Sequence, residues 1–386
     1  MSSKSKPKIT FVAAAYPYRG GNALTASYIY EAIKADFNIE IINYKLLYPN
    51  FLFPGKTQYD VSKKSIPTLQ SKRLVNSINP LSWMTTARYI NQLQPNLIIF
   101  DWWNPFFAPA HYGIQLGIES KLKKNIVAST HNVISHEARL IDKTLTKIGL
   151  SNANAFLTYS TSVTNDIKRL FPAKPVFQTQ LPVYDTFNAT EPIDAQKARQ
   201  QFGFKPDNKV LLFFGYVRKY KGLDILLALF PALLQKDPTY RLLVAGEFYE
   251  NPEDYFNKAK GLGIFDKIVF HNQFISNEEV PNYFAAADVL TLPYRSATQS
   301  GIVSIASAFN KPVIVTDVGG LSEVVENQVT GLIVPPNNAD AFSEAIHRFF
   351  ELRQTIDFQA NIKNKTAQNQ FNNLPILINE IIQKIS

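Results

Sequence analysis

Residues 213–224 run Phe-Phe-Gly-Tyr-Val-Arg-Lys-Tyr-Lys-Gly-Leu-Asp. An apolar run ends in Gly215, then Arg218, Lys219 and Lys221 fall within four residues, and Gly222 precedes a helix-like segment. Fixed cations beside a helix N-terminus make an anion site. A charge-assisted hydrogen bond contributes about 1.5–3 kcal/mol. Loss of Arg218 or Lys221 should therefore weaken diphosphate binding roughly tenfold to over a hundredfold. An exposed basic turn is the bland reading of the same residues.

Four further groups also follow apolar runs. Thr298, Gln299, Ser300 and Gly301 open a helix-like stretch, where hydroxyls and free amides can cradle a phosphate or sugar. Ordinary N-capping by Thr298 or Ser300 explains them too. Gly319 and Gly320 permit close backbone approach to a ligand. Glu323 either accepts from ligand hydroxyls or is an early-helix acid. Gly20 and Gly21 form a glycine turn before a helix, without the GxGxxG of a nicotinamide fingerprint. His131 ends a strand-like run, where imidazole donates to a sugar hydroxyl, stabilises charge or is simply satisfied within the fold. His136 and Glu137 follow it closely and read as a helix start. Asp-x-Asp, GxxxxGK[ST] and GxSxG are all missing from the sequence. That argues against a metal–diphosphate bridge of the first type, a P-loop and an α/β serine hydrolase.

Elements positioning these groups read as alternating strands and helices. Strand expectations fall at 8–16, 38–45, 97–103, 125–130, 155–160 and 176–181, then at 210–216, 241–246, 267–272, 289–294, 312–318 and 331–335. Many are continuous apolar runs, the pattern of a parallel sheet covered on both faces. Helices are expected at 23–36, 80–93, 224–236, 251–262, 278–287, 303–309 and 339–352. Two βα series of similar size imply an α/β protein of two doubly wound domains, 1–185 and 186–366. The linker is placed at 182–208. The amphipathic tail 367–386 has an apolar face suited to packing on either domain, back on the first among them.

The chain has 386 residues, 46% hydrophobic and 18% charged, with no cysteine. This is a globular composition, and it excludes disulfide scaffolds, cysteine metal sites and thiol nucleophiles. Net charge is +9. Residues 1–193 hold 21 Lys/Arg against 11 Asp/Glu and the remainder 19 against 20, so the excess lies in the first half. Such a half suits an anionic membrane surface or an anionic acceptor, as well as scattered solubilising lysines. No nucleic-acid recognition motif accompanies it. Lys4, Lys6 and Lys8 before an apolar run loosely mimic a signal peptide, but Tyr16-Pro17-Tyr18-Arg19 is no cleavage site, and a first buried strand is expected. The expected location is cytoplasmic, with peripheral contact on the inner face of the membrane.

Over about 210–342 these residues resemble the GT-B glycosyltransferases, specifically the large retaining family four. The resemblance rests on 215–222, on Val244-Ala245-Gly246-Glu247, on Phe284-Ala285-Ala286-Ala287-Asp288-Val289, on 311–320 and on 331–336. It implies two Rossmann-like domains facing a cleft, with a nucleotide diphosphate sugar as co-substrate and neither cofactor nor metal. Arg218 and Lys221 correspond to the family's cation pair on the donor diphosphate, with Lys219 a rival. His131 corresponds to the histidine on the donor sugar, and Gly20 and Gly21 to the loop over the phosphates. Phe274 and Ile275 stand where the nucleobase is held. Gly246, Glu247, Thr298, Gln299, Ser300, Gly301, Gly319, Gly320 and Glu323 complete the implied donor set. Two glutamates that often mark the family fall here on Ala297 and Ile305, with Thr298–Gly301 offering neutral donors instead. The implied activity is retaining transfer to a glycan or lipid-linked acceptor in cell-envelope polysaccharide synthesis. The loop 46–56 and Trp102, Trp103, Phe106 and Phe107 are expected at the acceptor or in the core. A non-catalytic nucleotide-sugar-binding or assembly protein of this fold and an epimerase of related architecture are the alternatives.

Overall fold

The computed structural model describes residues 5–53, 55–63, 69–133, 140–187 and 193–385. Lys4, Lys64, His136 and Glu137 lie outside the described residues. The chain divides into two units: Met1–Asp60, Ile66–Pro182 and Gln370–Ser386 in the first, Val61–Ser65 and Val183–Asn369 in the second.

The first unit is built on β1 (Lys8–Val12), β2 (Asn38–Leu46), β3 (Ser71–Asn76), β4 (Leu97–Trp102), β5 (Ile126–Thr130), β6 (Ala155–Thr158) and β7 (Val176–Gln178). They form one parallel sheet in the order β3-β2-β1-β4-β5-β6-β7. Every residue of β4 is buried, as helices on both faces require. The helix Pro80–Leu93 starts where the Asn79 side chain accepts from the Leu81 amide and proline takes the first helical position. The C-terminal helix Leu374–Ile385 buries Leu374, Ile378 and Ile381 in the core around Ile9, Phe11 and Ile29.

The second unit is built on β8 (Lys209–Phe214), β9 (Tyr240–Ala245), β10 (Ile268–His271), β11 (Val289–Leu292), β12 (Val313–Thr316) and β13 (Gly331–Val334). These too are all parallel, in the order β10-β9-β8-β11-β12-β13. The helices Leu223–Lys236 and Ala339–Leu352 bury Leu226, Leu227, Phe230, Phe342, Ile346 and Phe349 in one core with Phe213 and Val244. Strand order reverses between β1 and β4 in the first sheet and between β8 and β11 in the second. Loops leave opposite faces at such a point and open a crevice beyond the carboxyl ends.

Three departures from the sequence reading have physical causes. Strand β3 was not expected; SKRLVN is a charged edge strand with Lys72 and Arg73 exposed, and edges are protected in this way. The stretch 182–208 is not a free linker. From Val183 it belongs to the second unit, where the helix Ala195–Gln201 is pinned by Arg199, which donates to the Ala286 and Pro206 carbonyls and to Asp288. Residues 61–63 also join the second unit. Ser62 Oγ accepts from the Asn277 amide at 3.0 Å, and Glu278 Oε1 from the Lys63 amide at 3.2 Å.

Candidate functional site

At the carboxyl end of β8 the Gly215 amide donates to the Ala245 carbonyl at 2.9 Å. Beside it, Gly246 has φ 148°, and a Cβ there would stand 2.0 Å from the Gly215 carbonyl oxygen. Only glycine lets the two strand ends meet so closely. The following turn, Lys219–Lys221, is held from two sides. Glu250 accepts from the Lys219 amide at 2.6 Å, and Arg295 Nη1 donates to the Lys219 carbonyl at 2.7 Å. Arg295 is itself fixed by a two-point pair with Asp224 at 2.8 and 2.7 Å. Arg295, Asp224 and Glu250 were not singled out as site residues from sequence. Their signal was only the position of Arg295 directly after a strand.

This bracing aims the two cations differently. Lys219 is exposed, whereas Lys221 is 8% exposed. The Lys221 ammonium lies 3.3 Å, and Ile302 Cδ1 3.1 Å, from where a Cβ on Gly215 would stand. The Tyr294 ring lies beneath it, with 5.5 Å from Nζ to the centroid. No hydrogen bond or ion pair reaches that ammonium among the described residues. Burial, then the charge of Arg218, lowers the Lys221 pKa to about 7. Arg218 is half-buried with its guanidinium 4.7 Å from the Tyr249 ring centroid. A buried cation near a second cation and without a counter-ion is costly, and a bound anion removes that cost.

Across the switch point, β11 leads to the helix Gly301–Ala308, whose N-terminus no side chain caps, although Ser300 holds the capping position. The amides there are oriented for an anion. Gly301 faces Tyr184, whose Cε2 would be 3.1 Å from an added Cβ. Thr298 is buried and its carbonyl accepts from the Gly320 amide at 3.0 Å; Gln299 is half-buried. Gly319 has φ 52°, and a Cβ there would meet the Ala297 carbonyl oxygen at 1.7 Å. The loop after β12 thus lies directly on the loop after β11. Ala297 and Ile305 are themselves buried. Glu323 is exposed on the short helix Leu321–Val324, and Glu247 is buried at the end of β9, its carbonyl accepting from the Val217 amide at 2.9 Å. Phe274 is half-buried and Ile275 buried in the loop after β10.

His131, Gly20 and Gly21 belong to the first unit. Gly20 has φ 103° at the start of the helix Gly21–Ile33. A Cβ on Gly21 would meet nothing within 4 Å. His131 is buried at the carboxyl end of β5, with Nε2 2.9 Å from Asp101 Oδ1 and its ring stacked on Tyr159 at 4.7 Å. Asp101 was not singled out from sequence. Trp102 and Phe107 are core residues, whereas Phe51 is 84% exposed at the tip of the loop after β2.

Sucrose-phosphate synthase from Thermosynechococcus elongatus superposes with a TM-score of 0.73 at 16% identity, covering 98% of this chain and 99% of that one. HepE from Anabaena, in complex with UDP-glucose, gives 0.73 at 18% identity over 98% and 99%. The two Rossmann-like units constitute a GT-B fold. Residues 194–369 match the family described as "Glycosyl transferases group 1". That match falls within the second unit and covers less than half of the chain. A D-inositol 3-phosphate glycosyltransferase of Corynebacterium aurimucosum is 28% identical over 213 residues, 52% of this chain and 50% of the relative. The match thus spans only half of that relative's length.

Proposed function

We propose that this chain is a retaining glycosyltransferase that moves a sugar from a nucleotide diphosphate sugar to a glycan or lipid-linked acceptor in cell-envelope polysaccharide synthesis. The observation carrying the reading is Lys221, a buried ammonium beside Arg218 without a counter-ion, near the carboxyl ends of β8 and β11. A diphosphate supplies the missing negative charge. HepE's complex with UDP-glucose makes uridine donors the first to try.

In the proposed reaction the bond between the sugar's anomeric carbon and the distal phosphate oxygen breaks, and negative charge develops on that phosphate. Arg218, Lys221 and the amides at Gly301 stabilise it where it forms, without a metal. The acceptor oxygen bonds the anomeric carbon on the face the phosphate leaves, and its proton passes to a phosphate oxygen. No side-chain base is then required. Gly246, Gly319 and Gly320 let backbone approach the donor; Thr298, Gln299, Ser300, Glu247 and Glu323 offer polar groups to it, and Phe274 and Ile275 an apolar seat for the base. Gly20 and Gly21 are assigned to the phosphates and His131 to the transferred sugar. The acceptor is assigned to the first unit, where Phe51 and Leu52 are exposed beside the stacked pair Tyr48–Phe106, a surface suited to sugar rings or a lipid tail. Among the described residues no helix is long and apolar enough to cross a membrane, so contact with an anionic bilayer through this basic half would be peripheral.

A thermal-shift and turnover panel of UDP, GDP and ADP and their sugars tests this. A selective rise in Tm with one nucleotide, lost in Lys221→Ala, is expected, with transfer to lipid-linked glycan. Apolar side chains at Ala297 and Ile305 favour the second reading, a nucleotide-sugar binder without turnover. Selective binding with no transfer to any acceptor would establish it, and no selective binding at all would sink both.

A further inference from the structure

We infer that Asp101 is a positioning residue that fixes the tautomer of His131, keeping the proton on Nε2 and the lone pair on Nδ1. The inference rests on the assignment of His131 to the transferred sugar.

Asp101 is the penultimate residue of β4 and His131 follows β5, adjacent parallel strands in register through Asp101↔Ser129 and Trp102↔Thr130. The His131 amide donates to the Trp102 carbonyl at 2.8 Å, fixing the backbone from which the ring projects. Asp101 is 1% exposed. Its Oδ1 takes two contacts, from His131 Nε2 at 2.9 Å and from Ser129 Oγ at 2.9 Å. Ser129 Oγ also lies 2.8 Å from the Tyr159 hydroxyl, and the Tyr159 ring stacks on His131 at 13° between planes. An ionised carboxylate only accepts, so the nitrogen facing it carries the proton. In the neutral ring the other nitrogen, Nδ1, then carries the lone pair.

A purely structural role fits the burial poorly. Asp101 Oδ2 is buried with no hydrogen-bond partner among the described residues, and no lysine or arginine there pairs with the carboxylate. A buried carboxylate half-satisfied in this way does not favour folding over a neutral isostere. What it does supply is an acceptor that holds one face of the imidazole and dictates its tautomer.

Nitrogen NMR of the full chain labelled at histidine, recorded at pH 8.5, tests this without any ligand. Wild type should show His131 protonated on Nε2. Asp101→Asn, whose amide can donate to that nitrogen, should shift the proton to Nδ1. On whichever of UDP-glucose, UDP-galactose, UDP-N-acetylglucosamine and GDP-mannose the wild type transfers, Asp101→Asn should lower kcat at least tenfold and leave the donor KM within about threefold. A wild-type proton on Nδ1, or an unchanged kcat in a tautomer-shifted Asp101→Asn, overturns the inference. If Asp101→Asn fails to fold, the wild-type spectrum alone decides. Absence of donor binding in the wild type is a different outcome: it sinks the proposed function, while the tautomer remains independently measured.

Discussion

At the amino end of β11 Asp288 accepts from Arg199 and from the Val210 amide on Oδ2, each at 2.8 Å, and from Arg353 on Oδ1 at 2.7 Å. Lys311, close by, donates to the Ala287 carbonyl at 2.5 Å. Beyond the carboxyl end of the same sheet, Lys221 is buried and has neither carboxylate nor carbonyl on its ammonium among the described residues. Both lysines have lowered pKa values, chiefly through burial, Lys311 to about 8 and Lys221 to about 7. Arginines lower both further, Arg199 and Arg353 at Lys311 and Arg218 at Lys221, but only Lys311 has a carboxylate, Asp288, that raises it again. One end of the sheet spends its charges on holding the fold. The other leaves charge unmatched, which is where a ligand has something to gain.

The largest effect should come from breaking the matched end. Asp288→Ala strands Arg199, whose side chain is 15% exposed, and removes one partner of Arg353. A loss of about 3–5 kcal/mol is expected, because Arg199 stays enclosed. Urea denaturation measures it, and the affinity for UDP should stay within about threefold. Lys221→Met breaks the unmatched end with the opposite balance. Nucleotide affinity should fall roughly tenfold to over a hundredfold, while the Tm holds or rises, since a buried charge without a partner is removed. A lower Tm with unchanged affinity would show that Lys221 supports the fold rather than a ligand.

Much of this was legible in the sequence, but unevenly. Strands such as β4 and β8 announce themselves as apolar runs buried on both faces. Strand β3 does not, since an edge needs only one buried residue, Val75 in SKRLVN. The polar helix Ala195–Gln201 is tied down by Arg199, which reaches residues 286 and 288, a contact no local pattern reveals. The cation cluster 218–221 was visible as composition. Its sorting into an exposed Lys219 and a buried Lys221 was not, because it depends on braces from Glu250 and Arg295 far along the chain. Asp101 stayed hidden inside an apolar strand, where one acid looks like an interruption.

A smaller effect follows from pH. Below about pH 7 Lys221 is already charged in the free protein. Above it, anion binding must take up a proton, so nucleotide affinity should weaken by about tenfold per pH unit until the ligand-bound pKa is reached. For stability the sign is opposite. The unfolded lysine keeps its proton to about 10.5, the unfolded state binds more protons between 7 and 10.5, and stability rises with pH across that window. Calorimetry in buffers of different ionisation enthalpy should show uptake of about one proton at pH 8.5 in wild type and none in Lys221→Met. Equal uptake in both would assign the proton to another group.

The smallest effect separates two glycines. Gly246→Ala forces a Cβ to 2.0 Å from the Gly215 carbonyl at φ 148°, and about 1–3 kcal/mol of strain should appear as a lower Tm. Gly21→Ala meets nothing within 4 Å at the first position of a helix. There alanine costs no strain and reduces the freedom of the unfolded chain, a gain of about 0.4–1 kcal/mol. Stability alone therefore gives the chain no reason to keep glycine at 21. If that open space is where donor phosphates approach the backbone, Gly21→Ala should weaken UDP-sugar binding several-fold while raising the Tm slightly. An unchanged affinity in the stabilised variant would reduce the Gly20-Gly21 turn to a helix start and leave phosphate binding to the second unit alone.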